Sequence, residues 1–414
     1  MTSLPLWRER DFRRLWSAQS VSDFGARITR EGLPMMAVMG LAATPAQLGL
    51  LAALASGPTL LAGLSAGDMV DRRRRRPILV AADLVRALVL VTIPLAAWLH
   101  ALTIWQVYAA AALVAGASAV FDIADHAYLP TLVERGRLAE ANSRMAATES
   151  LAEMGGPALA GALFQWLTAP FAVAINAATY LASAVFLARI EAPEPAAEPE
   201  RRRRRRLEGL RTGVATAWGH EIVRPMLQMA AVSGLFGGVF SACYMIFALK
   251  VLGLRPAVLG LVIACGGVAS LAGSMIARPL STRLGVGRAI VASGLIAGAS
   301  SLLVPLAANS GRLAIASLVG AQLLGDSFGV AIIVLSISLR QGLIAQSFLG
   351  RTGAAFQAIG GGSAVVGALG GGWLAQTIGV QSALFVAATG LAAAPLLGFA
   401  SPLREFRDIP ATSA

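Results

Sequence analysis

The stretch GDMVDRRRRRP, Gly67 to Pro77, sets five consecutive arginines between two long apolar segments. An apolar segment of about 20 residues is long enough to cross a bilayer as a helix. Charged side chains between two such helices lie in water, and an excess of arginine marks the cytoplasmic side of a membrane. This stretch therefore fixes one cytoplasmic loop, from which the other loops are counted.

The composition excludes a soluble globular protein. Of the 414 residues, 56% are hydrophobic and 14% are charged, and the mean hydropathy is +0.69; these values indicate an all-α integral membrane protein. The net charge of +12 does not indicate nucleic-acid binding, because the arginines fall between apolar segments. Lys250 is the only lysine among 34 basic residues, a bias that we attribute to a high-GC bacterial genome.

No motif indicates catalysis, a cofactor or a metal site. Cys243 and Cys265 lie inside apolar segments, so they predict neither a disulfide framework nor a metal cluster. Phosphate-binding loops, zinc-protease motifs and nucleophile elbows do not occur in a suitable sequence context. We therefore expect a protein that is not an enzyme and needs no cofactor.

Twelve apolar segments are counted as membrane spans, centred at about residues 27, 56, 89, 116, 155, 180, 236, 267, 298, 324, 363 and 390. An even number of spans places both termini on one side. Arginines concentrate in the loops of that side, whereas the opposite loops hold only Lys250, Arg255 and Arg312. This asymmetry predicts a multi-pass protein of the bacterial cytoplasmic membrane with both termini in the cytoplasm.

A linker divides the chain into two halves. The segment EAPEPAAEPERRRRRR, residues 191–206, is rich in proline and glutamate and ends in six arginines. We predict an N-terminal six-helix bundle over 1–190, a cytoplasmic linker with a short amphipathic helix over 191–221, a C-terminal six-helix bundle over 222–400, and a cytoplasmic tail over 401–414. The arginine run either lies against anionic membrane lipids or serves only as a topology anchor.

The two halves repeat one another. Asp71 corresponds to Thr282, Arg144 to Arg351 and Gly156 to Gly362, all at offsets of about 206 to 211 residues. Parallel six-helix halves with a binding site between them near the middle of the membrane are a known architecture of secondary transporters. The sequence therefore predicts twelve transmembrane helices in two pseudo-symmetric six-helix bundles.

Several local patterns resemble the major facilitator superfamily. The loop stretch from Gly67 to Arg76 is similar to the pattern G-x-L-a-D-r-x-G-r-k between helices 2 and 3 of that family. The segments DFRRLW (11–16), SDFGARITREGLP (22–34), YLPTLV (128–133), AEANSRM (139–145), GGPALAGAL (155–163), LEGLR (207–211) and HEIVRP (220–225) are similar to its exporter branch, which includes enterobactin and macrolide efflux proteins.

The resemblance implies a set of gating residues. In that family the loop aspartate, here Asp71, latches the cytoplasmic end of the carrier against the start of span 11, and the glycines and proline of span 5 resemble an antiporter motif. The second group forms either a flexible joint or plain helix packing. The implied gating set is Gly67, Asp71, Arg72, Arg75, Arg76, Arg144, Arg351, Gly156, Pro157 and Gly161.

Charged residues inside the spans are candidates for proton coupling. Four charges in span 1 facing lipid would cost about 10 kcal/mol, so they face protein or water. A carboxylate shielded from water favours its protonated form, and a nearby arginine favours the ionised form, so alternating contact can switch it. The alternative is a static ion-pair network. The predicted network is Asp23, Arg27, Arg30, Glu31, Asp122, Asp125, Glu149, Glu153 and Asp326.

Aromatic and polar residues on spans 4, 7, 10 and 11 are candidates for a substrate cavity, because aromatic walls suit bulky amphipathic compounds. Helix packing is the alternative interpretation. The predicted cavity residues are Phe121, Phe236, Phe240, Tyr244, Gln322, Phe328 and Phe356, and Ser336 and Arg340 align with Gln322 on one face of span 10.

Together these features predict a monomeric, proton-coupled efflux antiporter. Its partners would be a small amphipathic substrate (a lipophilic drug, antibiotic or secondary metabolite), protons and membrane lipids. Two alternatives remain open: export of a siderophore or lysolipid by the same fold, and a non-transporting membrane sensor or scaffold.

Overall fold

The computed structural model describes residues 6–71, 73–194 and 206–407, which contain helices and turns and no strand. The α-helices are α1 (Arg10–Gly40), α2 (Pro45–Asp71), α3 (Arg75–Trp98), α4 (Ile104–Leu132), α5 (Leu138–Trp166), α6 (Ala169–Ala188), α7 (Arg206–Gly219), α8 (Val223–Ile246), α9 (Pro256–Leu284), α10 (Val286–Ser300), α11 (Leu303–Leu306), α12 (Ala314–Leu343), α13 (Gln346–Ile378) and α14 (Val380–Phe399). A π-helical turn, Phe247–Val251, extends α8, and 3₁₀ turns occupy Leu6–Arg8, Arg135–Arg137, Ala307–Asn309, Gly311–Leu313 and Pro402–Glu405.

Ten helical segments in the part of the chain that is described are long and apolar enough to cross a membrane. They are α2, α3, α4, α6, α8, α9, α10 with its extension to Asn309, α12, α13 and α14. The two other long helices, α1 with 31 residues and α5 with 29, are those that carry the clusters of charge. These ten and two account for the twelve predicted spans.

The chain forms two compact units. Unit 1 comprises Met1–Ala43, Leu54–Arg204 and Arg255–Leu261, and unit 2 comprises the remainder. In unit 1, α1 packs on α5 and α6, and α3 packs on α4 and α6. In unit 2, α8 packs on α13 and α14, and α10 packs on α12 and α14.

The internal packing of the two units confirms the predicted pseudo-symmetry. Helices α1, α3, α4, α5 and α6 correspond in chain order to α8, α10, α12, α13 and α14. Under this correspondence each of the four principal helix pairs of unit 1 has its counterpart in unit 2. The two-bundle helical fold predicted from the sequence is therefore the one observed.

Glycines allow close helix contacts in both units. A Cβ placed on Gly49 of α2 would lie 2.8 Å from Cα of Gly372 in unit 2, and one on Gly161 of α5 would lie 3.0 Å from Cα of Gly260 in unit 1. These distances are too short for a side chain, so the helices approach through bare backbone, as small residues permit in membrane helices.

Helix α7 covers the segment where the amphipathic linker helix was predicted. It packs against α13, because Gly213 lies on the backbone of Arg351, and Ala217 is fully buried. The arginines 201–205, the tail beyond residue 407 and Arg72 lie outside the described residues, as do the surroundings of Gly67 and the side chain of Asp71. The domain boundaries at 190, 221 and 400 stay predictions.

Candidate functional site

On α1, Asp23, Arg27 and Arg30 lie on one helix face because they are spaced four and three residues apart. Arg27 reaches across to α5, where its Nη1 atom lies 3.6 Å from Oε1 of Glu153. The Arg27 side chain is 19% exposed and that of Glu153 is 48% exposed. We name the predicted charges of unit 1 the charged strip: Asp23, Arg27, Arg30 and Glu31 on α1, Asp122 and Asp125 on α4, and Glu149 and Glu153 on α5.

A glycine on α5 determines how closely Arg27 approaches that helix. A Cβ on Gly156 would lie 2.5 Å from Cβ and 2.7 Å from Cγ of Arg27, so the arginine stem occupies the space of the missing side chain. On the neighbouring Gly155 a Cβ would make an ordinary contact, 3.5 Å from a ring carbon of Phe24. Gly156 and the adjacent Pro157 are buried. Gly156 therefore positions the Arg27 side chain beside Glu153.

The other members of the charged strip are paired more loosely. Arg30 Nε lies 4.0 Å from Oε1 of Glu31; the arginine side chain is 69% exposed and the glutamate only 15%. On α4, the Asp125 side chain is 15% exposed and one of its oxygens lies 4.0 Å from Nδ1 of His126. Asp23 is half-buried, whereas Asp122 and Glu149 are exposed. The strip thus offers several carboxylates beside only two arginines.

The carboxylates do not gather into a metal centre. Within the described ranges, no group of three or more His, Cys, Asp or Glu side chains has an arrangement that holds a metal ion. The excess of carboxylates over arginines leaves room for proton binding, because a carboxylate without a cation neighbour in a membrane helix lowers its energy by taking up a proton.

Sequence reasoning missed a second charged pair, which lies in the core of unit 1. Asp83 is fully buried and Arg86 is 3% exposed, and the Arg86 guanidinium donates to Asp83 Oδ1 within α3. The guanidinium carbon lies 4.3 Å from the ring centroid of Phe121 and 4.2 Å from that of Tyr180. The available signal was two opposite charges three residues apart in a span with mean hydropathy 2.2.

Arg75 and Arg76 of the predicted gating set form contacts within unit 1. The backbone N–H groups of Arg75 and Arg76 donate to the Glu194 carboxylate, and Nη1 of Arg75 lies 3.7 Å from the same group. The Arg76 side chain donates to the backbone oxygens of Leu187, at 3.1 Å, and Ala188. Glu194, which was not predicted, thus caps the start of α3, and Arg76 caps the end of α6.

The remaining gating candidates make contacts within their own units. Arg144 donates to Oε1 of Glu140 at 2.7 Å and stacks 4.6 Å from the Trp7 ring, whereas the exposed Arg351 stacks 5.5 Å from Phe348 on α13. Gly161 forms a close contact with α9, where the Ala257 N–H donates to the Gln165 side chain at 3.2 Å. The structure therefore gives Gly161 a packing role.

Four of the predicted cavity aromatics make packing contacts within their own units. Phe121 is 5% exposed and belongs to the core of unit 1. The Phe236 ring lies directly on Gly390 of α14, and Phe240 stacks on Tyr244 at 5.7 Å against a buried cluster of unit 2. The assignment of these four side chains to a substrate cavity stays a prediction. Phe328 is half-buried on α12.

The polar residues of α12 face α9. A Cβ on Gly266 would lie 3.2 Å from Cγ of Asp326 and 3.3 Å from Nε2 of Gln322, so both side chains lie over this glycine. Further along α12, Arg340 and Phe356 border a cavity of about 380 Å³ within unit 2, whose lining is Arg340, Gly353, Phe356, Gln357 and Gly361. Of the predicted cavity aromatics, Phe356 is the one that lines this opening.

Comparisons with known proteins agree with the geometry. The family model of the Major Facilitator Superfamily matches residues 15–338. A curated relative, "Uncharacterized MFS-type transporter YfiS" of Bacillus subtilis (strain 168), is 24% identical over an alignment of 402 positions that covers 92% of this chain and 91% of that protein.

Several solved transporter structures have the same fold. A bacterial homologue of the iron transporter ferroportin in an inward-facing state has a TM-score of 0.73 at 16% identity, covering 94% of this chain and 98% of its own. The nucleoside transporter NupG has 0.71 at 12%, covering 95% and 98%, and a bacterial homologue of the lysosomal transporter Spinster has 0.71 at 13%, covering 99% and 100%. At these identities the likeness shows the fold alone.

Proposed function

The chain belongs to the major facilitator superfamily of multi-pass membrane transporters, and from this premise we propose that it is a proton-coupled efflux antiporter. The proposed cargo is a lipophilic, amphipathic small molecule, such as a drug, antibiotic or secondary metabolite. The proposed location is the bacterial cytoplasmic membrane, with both termini in the cytoplasm, where the arginine-rich loops also lie. We propose that the protein works as a monomer in contact with anionic lipids.

The observation that carries this proposal is the Arg27–Glu153 pair between α1 and α5. The 3.6 Å separation is short enough for an ion pair and too long for a direct hydrogen bond, and the Glu153 side chain is about half exposed. A proton that arrives on Glu153 would release Arg27, and loss of that proton to the cytoplasm would restore the pair. Gly156 holds Arg27 within reach of α5, so a change in the pair is transmitted directly to helix packing.

The membrane potential supplies enough energy for export. One proton charge that moves down about 100 mV releases about 2.3 kcal/mol. At about 1.36 kcal/mol per tenfold change, this supports a substrate gradient of about fifty-fold. A gradient of this size is sufficient to lower the cytoplasmic concentration of a toxic compound.

Everted membrane vesicles provide the test. An imposed pH gradient should drive uptake of fluorescent lipophilic dyes by the wild-type protein, and Glu153→Gln, which keeps the shape and removes the charge, should abolish that uptake. Glu134→Gln is the matched control, because Glu134 is exposed in the turn before α5 and belongs to neither the strip nor the gating set. Equal uptake by wild type and Glu153→Gln would refute the assigned role of this pair.

The same assay separates the alternative functions. A siderophore exporter should affect iron-limited growth without accumulating dyes, and a lysolipid exporter should move labelled lysolipid instead. A sensor or scaffold should move no solute and no protons in proteoliposomes. Any of these results would replace the proposed cargo or the proposed activity.

A further inference from the structure

The cavity of unit 2 contains Arg340, a cation for which the described residues supply no carboxylate within ion-pair distance. Arg340 lies three residues before the end of α12, a helix in a span with mean hydropathy 1.9. Across the described parts of the chain, no carboxylate lies within the 4.0 Å ion-pair distance of its guanidinium, and the side-chain hydrogen bond it donates is from Nε to Ser336 O at 3.4 Å. Unpaired cations are rare in membrane helices and mark sites of substrate or ion binding.

The surroundings of Arg340 determine which of its surfaces remains available. The guanidinium carbon lies 4.2 Å from the centroid of the Phe356 ring, so one face of the guanidinium is covered by the ring. Stacking on an aromatic ring fixes the plane of the group and leaves its N–H edge free for in-plane contacts. A fixed guanidinium edge matches the two oxygens of a carboxylate or phosphate group.

The remaining lining gives the cavity its size and its second polar group. A Cβ added to Gly353 would have no atom within 4 Å, so this glycine leaves open space beside Phe356. The Gln357 side chain contributes both a donor and an acceptor. A volume of about 380 Å³ lies at the lower end of small-molecule sites, which suits an acidic group attached to one or two rings.

We propose that this cavity binds the anionic group of the transported molecule, a carboxylate or phosphate on an aromatic body, with Arg340 as the anion-binding residue and Phe356 as the wall that orients it. The inference deepens the proposed efflux function, since it takes the anion to be cargo. Phosphate-bearing lipid head groups have the same chemistry, and the test separates the two sources.

The test is equilibrium binding to the full-length protein in a neutral detergent. The probes are radiolabelled 2-naphthylacetate, which is an anion, and 2-naphthylethanol, which has a similar shape and no charge. We expect Arg340→Gln to weaken naphthylacetate binding by at least about tenfold, as for loss of a charge-assisted hydrogen bond, and naphthylethanol binding by less than about twofold. Arg288→Gln, an exposed arginine of the same unit, should change neither.

A cavity-filling variant tests the location independently. Gly353→Leu should weaken both probes by at least about tenfold, because the side chain enters open space and needs no rearrangement. Gly350→Leu is its control, since Gly350 also has open space at its Cβ position and does not line the cavity. Unaltered circular dichroism and melting temperature would show that all four variants fold.

Three results would overturn the proposal. They are the absence of saturable naphthylacetate binding to the wild-type protein, an equal loss of both probes in Arg340→Gln, and displacement of naphthylacetate by short-chain phosphatidylglycerol, which would assign the site to a lipid head group. The measurement uses no gradient and no flux. A protein that fails to export dyes but discriminates the two probes through Arg340 would refute the efflux function and leave the anion site standing.

Discussion

Separating the buried Asp83–Arg86 pair should destabilise unit 1 strongly. Asp83 is fully buried, Arg86 is 3% exposed, and the guanidinium lies between the rings of Phe121 and Tyr180 at 4.3 and 4.2 Å. Replacement of either partner by an apolar residue leaves the other as an unpaired charge inside the bundle. The variants are Asp83→Leu, Arg86→Met and the double replacement.

The expected magnitude follows from the burial. Breaking a buried ion pair from one side costs about 3–5 kcal/mol, whereas replacing both partners by apolar groups of similar volume is close to neutral or stabilising. Asp83 Oδ2 and Arg86 Nε are enclosed without a hydrogen-bond partner among the described residues, so the pair is incompletely satisfied and its joint removal loses little. At about 2–4 °C per kcal/mol for a unit of this size, each single variant should melt about 10 °C below wild type.

Thermal unfolding of the detergent-solubilised protein measures this effect, with fluorescence-detected size exclusion as the readout. The double variant should melt close to wild type, so the two single effects should be strongly non-additive. Asp11→Leu is the control, because Asp11 pairs with Arg14 at the same three-residue spacing but both side chains are 25% exposed; it should melt near wild type.

Two outcomes would refute this reasoning. Single variants that melt like wild type would show that the pair is not shielded from water. A double variant that loses the sum of the two single effects would show that each side chain stabilises the bundle separately, for example through the rings around Arg86.

Three further predictions concern packing. Gly156→Ala should reduce pH-driven dye uptake by at least about tenfold, because its Cβ would meet the Arg27 stem at 2.5 Å. The control Gly155→Ala should keep wild-type uptake, because its Cβ would have 3.5 Å of clearance. Equal effects of the two substitutions would contradict the positioning role of Gly156. Gly49→Val should lower the melting temperature, because the side chain would enter the backbone of Gly372, and an unchanged value would argue against close packing there. Phe236→Ala should cost about 3–5 kcal/mol in unfolding free energy, as for a packed aromatic residue, without altering the range of dyes transported; a changed range at unchanged stability would return Phe236 to the cavity.

The charges of the membrane helices illustrate how far sequence reasoning reaches. Hydropathy alone separates α1 and α5 from the ten apolar helices, so the sequence identifies Arg27 and Glu153 as charged residues inside membrane spans. The sequence does not identify the carboxylate that pairs with Arg27, because helical spacing allows four candidates: Asp122, Asp125, Glu149 and Glu153. The choice of Glu153 depends on how α1 docks on α5, which Gly156 determines by leaving space for the arginine stem.

The aromatic residues illustrate the limit of sequence reasoning. Phe236, Phe240 and Tyr244 share one helix face, and the sequence cannot distinguish a face that lines a cavity from one that packs on a neighbour. Gly390, far away in the chain, receives the Phe236 ring, a contact that the spacing of residues along one helix does not reveal. Likewise Asp83 and Arg86 are visible as charges in an apolar span, but their enclosure by Phe121 and Tyr180 depends on three helices meeting.

The sequence by itself determined the membrane class, the number of spans, the repeat and the membrane-embedded charges, because apolarity, charge and helical period are properties of neighbouring residues along the chain. Only the tertiary structure decided which charge pairs with which, which aromatics are core and where Arg340 finds an open cavity. Those outcomes depend on contacts between distant segments, where the absence of a side chain at a single glycine sets how closely two helices meet.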